Sequence, residues 1–222
     1  MKRRFLNAAL FMTAALLSAS CGDDSDNVLP VPPEDETPQY EEPVPERPDY
    51  VNANLVYYGT DAQNESSDYW VLTLYTDMTV DGGYPIGPGQ MLSLAMNTPV
   101  SQAQEPELSL LAGQYHMPAH SGDFSAGTYI QGDIYTIDLP DGTVEMPDGT
   151  FFGNIPAGET DFDPDLIREG EFSITDNGDG AYTVDGILVG NYYTKRYFTY
   201  TGPFEPVDRA GESVMPETPT PT

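Results

Sequence analysis

The sequence predicts an all-β domain, an antiparallel meander that closes as a barrel or packs as a sandwich. Segments in which apolar side chains recur at period two, the spacing of a β-strand, lie between residues 51 and 204. Turn-forming residues separate consecutive segments, and strands joined by short turns pair with their antiparallel neighbours. The chain has one cysteine, so a hydrophobic core must hold this domain, and about 150 residues are enough to bury one.

The first 20 residues have the anatomy of a secretory signal peptide. Lys2, Arg3 and Arg4 precede an apolar run over residues 5–17, which ends in the small residues 18–20. The run is about 13 residues long, shorter than the roughly 20 that span a bilayer as a helix. We therefore expect residues 1–20 to be cleaved.

Cys21, the only cysteine, directly follows these small residues. This junction resembles the lipobox of bacterial lipoproteins, although Ser18 stands where that pattern prefers leucine, and the resemblance implies that Cys21 is lipidated. The acidic segment 22–26 resembles the signal that sends Bacteroidetes lipoproteins to the outer face of the outer membrane. The start of a solvated acidic linker is the other interpretation, and it leaves the periplasmic face as the alternative location.

Residues 21–50 are rich in proline and acid and poor in apolar side chains. Such a segment cannot offset the entropy cost of ordering by burial, and proline stiffness and charge repulsion extend it. We therefore expect a disordered tether over residues 21–50. Residues 205–222 have a similar composition and predict a flexible tail.

The charge of the chain excludes some partners. Eight basic residues stand against 36 acidic ones, and three of the basic residues lie in the leader. Nucleic acid requires a basic surface, and anionic lipid headgroups repel an acidic one. The only membrane contact that we expect is through the lipid on Cys21.

The strand pattern is clearest in two places. Over residues 69–75, Trp70, Leu72 and Leu74 share one face of a strand. Later, two alternating segments flank residues 176–180, in which Asn177-Gly178 predicts a hairpin turn, and another strand follows over 192–201. The predicted inward side chains of the hairpin are Phe172, Ile174, Tyr182, Val184 and Leu188.

A short motif, Ala-Gly-x-Tyr, occurs at residues 112–115 and again at 126–129. Glycine at the start of an extended segment is typical of a bulge or tight corner. The motif resembles strand starts in uncharacterised Bacteroidetes-type outer-membrane or surface lipoproteins with a lipocalin-like (calycin-like) or β-sandwich domain. The resemblance implies the same fold alternatives as the strand pattern.

Tyrosine is abundant, with 15 copies beside a single tryptophan. A ring with a polar tip suits a half-exposed binding face, although tyrosine also simply favours strands. The residues that we predict as a glycan or peptide platform are Tyr57, Tyr58, Tyr69, Tyr75, Tyr192, Tyr193 and Tyr197.

Asp161, Asp163 and Asp165 alternate in an acidic loop, a spacing that can bring hard oxygen ligands to Ca²⁺. This is a weak metal site, because Leu166 stands where the glycine of a calcium-binding EF-hand loop belongs. We expect no other cofactor.

These features favour a membrane-tethered lipoprotein whose β domain binds a glycan or peptide outside the cytoplasm. The alternative is a structural or accessory subunit of an envelope assembly that binds no small molecule. No nucleophile elbow or phosphate loop occurs in the sequence, so we do not expect an enzyme. A hydrolase with paired carboxylates stays open, because such pairs come from distant strands.

Overall fold

In the computed structural model, the described residues are 47–61, 64–81, 84–103, 105–139, 142–159 and 164–212. They all lie within one compact unit, Pro43–Thr222. The predicted signal peptide, Cys21 and the tether up to residue 46 lie outside the described residues. Within them, no helix is long and apolar enough to cross a membrane.

Nearly all of the regular secondary structure in the described part of the chain is strand, which confirms the predicted all-β class. Its one short helix is the 3₁₀ helix Leu108–Leu111. The strands are β1 Asn52–Asp61, β2 Asn64–Tyr75, β3 Thr79–Asp81, β4 Tyr84–Ile86, β5 Gly89–Thr98, β6 Gly113–His116, β7 Asp133–Leu139, β8 Gly142–Asp148, β9 Phe151–Ile155, β10 Asp165–Gly178, β11 Ala181–Gly190, β12 Lys195–Pro203 and β13 Pro206–Asp208.

One large sheet dominates the fold, in the order β12-β11-β10-β9-β5-β2-β1-β13, with β6 paired alongside β10. Its strands are antiparallel except for β13, which runs parallel to β1. The sheet curls into a half-barrel. Asp49, just before β1, bridges to Thr199 of β12, so the chain entering one end of the sheet contacts the other end. Two separate hairpins, β3–β4 and β7–β8, complete the strands.

The two copies of the Ala-Gly-x-Tyr motif lie side by side between β5 and β10. At one end of these strands β9 pairs with both. At the other end, the segment around Thr128 bonds to β5 through Asn97, and Tyr129 N–H donates to His116 of β6. The motif tyrosines, Tyr115 and Tyr129, are buried, and their ring centroids lie 4.8 and 5.8 Å from that of Phe172.

Most of the core is one large apolar cluster, beside a smaller one of Met78, Met91 and Ile155. The period-two pattern places its members, because alternate side chains of a strand point to the same face. Trp70, Leu72 and Leu74 are buried as predicted. All five predicted inward side chains of the late hairpin, Phe172, Ile174, Tyr182, Val184 and Leu188, are also in this cluster.

The position of the late turn differs from the prediction. Strand β10 continues through Asn177 to Gly178, and Asp179 and Gly180 are the two loop residues, with φ of 56° and 77°. A two-residue hairpin turn with positive φ at both central positions favours Asp-Gly as much as Asn-Gly. The prediction of the turn at Asn177-Gly178 is therefore wrong by two residues.

The sheet also extends beyond the predicted domain limits. Tyr50 is only 5% exposed and belongs to the core, although the tether was expected to reach residue 50. Beyond Phe204, β13 pairs with β1, where the sequence predicted a flexible tail from residue 205. Strand pairing orders a polar segment without an apolar face, which the apolar pattern does not reveal.

Candidate functional site

The predicted tyrosines do not form one platform. Tyr192 and Tyr193 occupy the turn between β11 and β12 and are 74% and 85% exposed. Tyr57 is half-buried, and its ring lies 4.5 Å from that of Trp70. Tyr69 is buried and packs against Tyr58 at 5.7 Å between ring centroids.

The last two predicted tyrosines lie elsewhere on the sheet. Tyr75 packs against the small cluster of Met78, Met91 and Ile155. Tyr197 is half-buried on β12, and the guanidinium carbon of Arg47 lies 6.0 Å from its ring centroid. The structure therefore brings together only Tyr192 and Tyr193 as an adjacent, exposed pair, and we call residues 190–194 the tyrosine turn.

The backbone of the tyrosine turn is held in one conformation by its own hydrogen bonds. Tyr193 N–H donates to Gly190 O at 3.0 Å, and Gly190 N–H donates to Thr194 O at 3.3 Å. Tyr193 has φ of 57°, in the left-handed region that bulky residues rarely adopt. Such a conformation costs on the order of 1–3 kcal/mol and persists only where the surroundings enforce it.

A part-buried ion pair anchors the base of the tyrosine turn. Asp165 Oδ1 accepts a 2.9 Å hydrogen bond from Asn191 N–H. Its Oδ2 accepts hydrogen bonds from Nε and Nη2 of Arg196, at 2.9 and 2.7 Å. The Arg196 guanidinium carbon lies 3.8 Å from the centroid of the Phe152 ring, a cation–π contact. The start of β10 and the start of β12 are thereby fixed relative to the turn.

A β-bulge supplies a second anchor. Pairing of β10 with β11 shifts between Ile167 and Glu169, which leaves Arg168 as the extra residue. Bulges re-aim side chains. Arg168 donates from Nε to Asn191 Oδ1 at 2.6 Å and from Nη1 to Gly132 O at 2.8 Å. Asn191 is therefore held through both its backbone and its side chain.

Positive charge is concentrated around the tyrosine turn. Arg168, Lys195 and Arg196 are three of the eight basic residues of the chain. Arg196 is paired with Asp165, with 2.7 Å between Arg196 Nη2 and Asp165 Oδ2. Neither Arg168 nor Lys195 has a carboxylate oxygen of the described residues within 4.0 Å. Among the described residues, Arg168 and Lys195 thus place two positive charges without an ion pair beside the turn, on a chain with a formal net charge of −28.

Tyr57 belongs to a different polar cluster, built around the buried carboxylate of Asp68. Tyr57 and Thr60 donate their hydroxyls to this carboxylate at 3.0 and 2.9 Å, and Ser101 N–H donates at 2.8 Å. Burial first, and then the bond to Asp68, raises the pKa of Tyr57 to about 12. These three donors are all neutral, and within the described part of the chain they satisfy the buried Asp68 carboxylate.

Only part of the predicted calcium loop lies within the described residues. Asp161 and Asp163 lie outside the described residues, and the Asp165 carboxylate is bonded to Arg196 and Asn191. No group of three or more His, Cys, Asp or Glu in metal-binding geometry occurs in the described part of the chain. A Ca²⁺ site that includes Asp165 stays a prediction.

Sequence reasoning found the two tyrosines of the turn but not the residues that hold them. The sequence predicts Asp165 as a metal ligand and indicates no role for Arg168, Asn191 or Arg196. One signal was available: Gly170, with φ of 113°, follows the bulge at a position where a side chain would meet the backbone of β11. An isolated glycine within a strand pattern is typical of a bulge.

No protein family, curated protein or solved structure matches this chain.

Proposed function

We propose that this protein is a tethered binding module that captures a glycan with the tyrosine turn. The observation that carries the proposal is the pair Tyr192 and Tyr193, exposed by 74% and 85% on a backbone fixed by hydrogen bonds and by two anchoring arginines. Exposed aromatic rings give a flat apolar surface for sugar rings, and their hydroxyls bond to sugar hydroxyls. A fixed backbone lowers the entropy cost of binding.

The shape of the turn favours a glycan over an extended peptide. Peptides that bind by strand addition need a free sheet edge with unpaired backbone groups. In the tyrosine turn, the N–H groups of Gly190 and Tyr193 are bonded within the turn, and Asn191 N–H is bonded to Asp165. These groups are not available to pair with a peptide strand, and the exposed tyrosine rings suit stacking on sugars instead.

We further propose that a lipid on Cys21 holds the module at the outer membrane, after removal of residues 1–20. The support is the sequence of the leader and of the acidic segment behind the cysteine. Metabolic labelling with a fatty acid should mark the wild-type chain and not the Cys21→Ser variant. Labelling of intact cells with a non-permeant reagent should reach the chain, and protection from the reagent would instead favour the periplasmic face.

The binding proposal is tested by applying the full chain to a glycan array. The variant Tyr192→Ala/Tyr193→Ala should lose binding. The matched control is Val144→Ala/Met146→Ala, which also truncates two exposed side chains, each 42% exposed, on the β7–β8 hairpin. The control should bind as the wild type does. If no glycan binds, or if the tyrosine variant binds unchanged, the proposal is wrong.

The accessory-subunit alternative has one observation in its favour. The β7–β8 hairpin exposes Val144 and Met146, each by 42%, on one face of the hairpin, and apolar side chains grouped on a surface often mark a protein contact. A photo-crosslinking residue at Met146 should then capture a specific envelope protein in intact cells. Recovery of monomer alone would count against this alternative.

A further inference from the structure

We infer that the glycan bound by the tyrosine turn is anionic, carrying carboxylate or sulfate groups. This inference rests on the proposed function and names its substrate class. It comes from the juxtaposition of two exposed tyrosines with two cations, Arg168 and Lys195, that have no carboxylate partner among the described residues.

The distribution of charge makes this juxtaposition informative. Among residues 47–212, the basic side chains are Arg47, Arg168, Lys195, Arg196 and Arg209. Arg47 and Arg209 have acidic neighbours, Asp185 at 3.7 Å and Glu212 at 4.0 Å. The chain has 36 acidic residues, so carboxylates that could pair with a basic residue are plentiful. The two that have no partner among the described residues both flank the tyrosine turn, where an anionic ligand can supply the missing charge.

Arg168 is preorganised for this role. Its Nε and Nη1 are held by Asn191 Oδ1 and Gly132 O, both neutral acceptors. Its Nη2 makes no hydrogen bond to the described residues and is left as a donor for a carboxylate or sulfate oxygen. A guanidinium fixed on two acceptors loses little further entropy when it binds an anion.

Lys195 is the more mobile of the two cations. It is the first residue of β12, it is exposed, and it lies two residues after Tyr193. An ammonium group on a flexible stem accepts an anion from several directions, so it adds affinity without strict geometry. Stacking on the tyrosines and charge pairing with these cations together describe an acidic sugar chain.

The same features disfavour other anions. An acidic peptide offers charge but no flat sugar face for two adjacent rings. An anionic membrane presents a wide negative surface, which repels a chain of net charge −28. A short glycan contacts only the turn, and at about 0.15 M ionic strength charges beyond about 8 Å are largely screened.

The test uses two ligands with the same sugar backbone: an oligogalacturonide and its fully methyl-esterified form, in which a neutral methyl ester replaces each carboxylate. The full chain should bind the acid form more tightly than the ester, and Tyr192→Ala/Tyr193→Ala should abolish binding of both. Lys195→Gln should weaken binding of the acid form by up to about fivefold, the size of an exposed ion pair, and leave the ester unchanged. Arg209→Gln, the same charge change at a distant site, should have no effect. A sulfated oligosaccharide and its desulfated form provide the second matched pair.

The outcomes separate the inference from the proposed function. If neutral forms bind as tightly as charged ones, through the tyrosines, the glycan module stands and the inference is wrong. If Lys195→Gln and Arg209→Gln weaken binding equally, the effect is one of net charge and the inference is again wrong. If polyglutamate binds better than every glycan, the ligand is an acidic peptide and both proposals fail.

Discussion

The ion pair of Asp165 and Arg196 offers the sharpest test of how the tyrosine turn is held. Asp165→Asn keeps the shape of the side chain and an acceptor for Asn191 N–H but removes the charge. The Asp165 side chain is 8% exposed and that of Arg196 is 29% exposed. Removing one partner of a buried pair costs about 3–5 kcal/mol. Arg196 retains some solvent and the Phe152 ring, so we expect about 3 kcal/mol.

The measurement is urea unfolding followed by the fluorescence of Trp70, the single tryptophan, which is 1% exposed and reports on the core. The control is Arg47→Gln, which removes an ion pair of 3.7 Å whose side chains are 53% and 56% exposed. Exposed pairs contribute about 0–1 kcal/mol, so the midpoint should hardly move. Hydrogen exchange at Tyr193 N–H should accelerate in Asp165→Asn, because the base of the turn is loosened.

A double variant decides whether charge is the cause. Asp165→Asn/Arg196→Met removes both charges from the buried site. If an unpaired guanidinium is what destabilises the single variant, the double variant should be more stable than Asp165→Asn. If the double variant instead loses the sum of the two single losses, the side chains act independently and the reasoning is refuted.

Three further predictions follow from other parts of the structure. Phe172→Ala should lower the free energy of unfolding by about 3–5 kcal/mol, since Phe172 is 1% exposed in the core. In the same urea assay, the control Ile187→Ala, at an exposed position, should lower it by less than about 1 kcal/mol. The folded protein holds the Tyr57 proton more tightly than the unfolded chain, because burial raises the pKa of Tyr57 from 10.0 to about 12. The free energy of unfolding should therefore fall as pH rises from 10 to 12, and it should fall less in Tyr57→Phe. An equal fall in the variant would contradict this assignment. Tyr193→Gly should relieve the positive φ and leave stability unchanged or higher while glycan binding is lost; loss of stability in parallel with binding would show that the ring is structural.

The sequence predicted the core well because burial leaves a period-two signature. Phe172, Ile174 and Val184 alternate with polar neighbours, and each lies inside as expected. The same pattern cannot locate strands that have no apolar face, such as β13, which is ordered by pairing with β1. It also cannot assign the loop of a hairpin that contains two adjacent glycine signals, since both Asn177-Gly178 and Asp179-Gly180 satisfy the backbone requirement.

The candidate site was predictable in part for a related reason. Composition pointed to tyrosines, but it could not tell the buried Tyr69 from the exposed Tyr192, because strand propensity and binding favour the same residue. The partners of the turn come from a position 26 residues away, as in the bond from Asn191 to Asp165. Such contacts depend on register, and the bulge at Arg168 shifts the register by one residue. Local sequence does not encode that shift, apart from the glycine at 170.

The residues of the tyrosine turn are not the ones that stability alone would favour. A glycine at position 193 would allow the same backbone without strain, and an alanine at 192 would leave the turn hydrogen bonds intact. The chain instead keeps two large rings in solvent and holds one of them at φ of 57°. The Asp165–Arg196 ion pair and the hydrogen bond from Arg168 to Asn191 hold the turn in place. Conformational cost retained at an exposed position, with bracing around it, is the pattern expected of a surface shaped for a ligand.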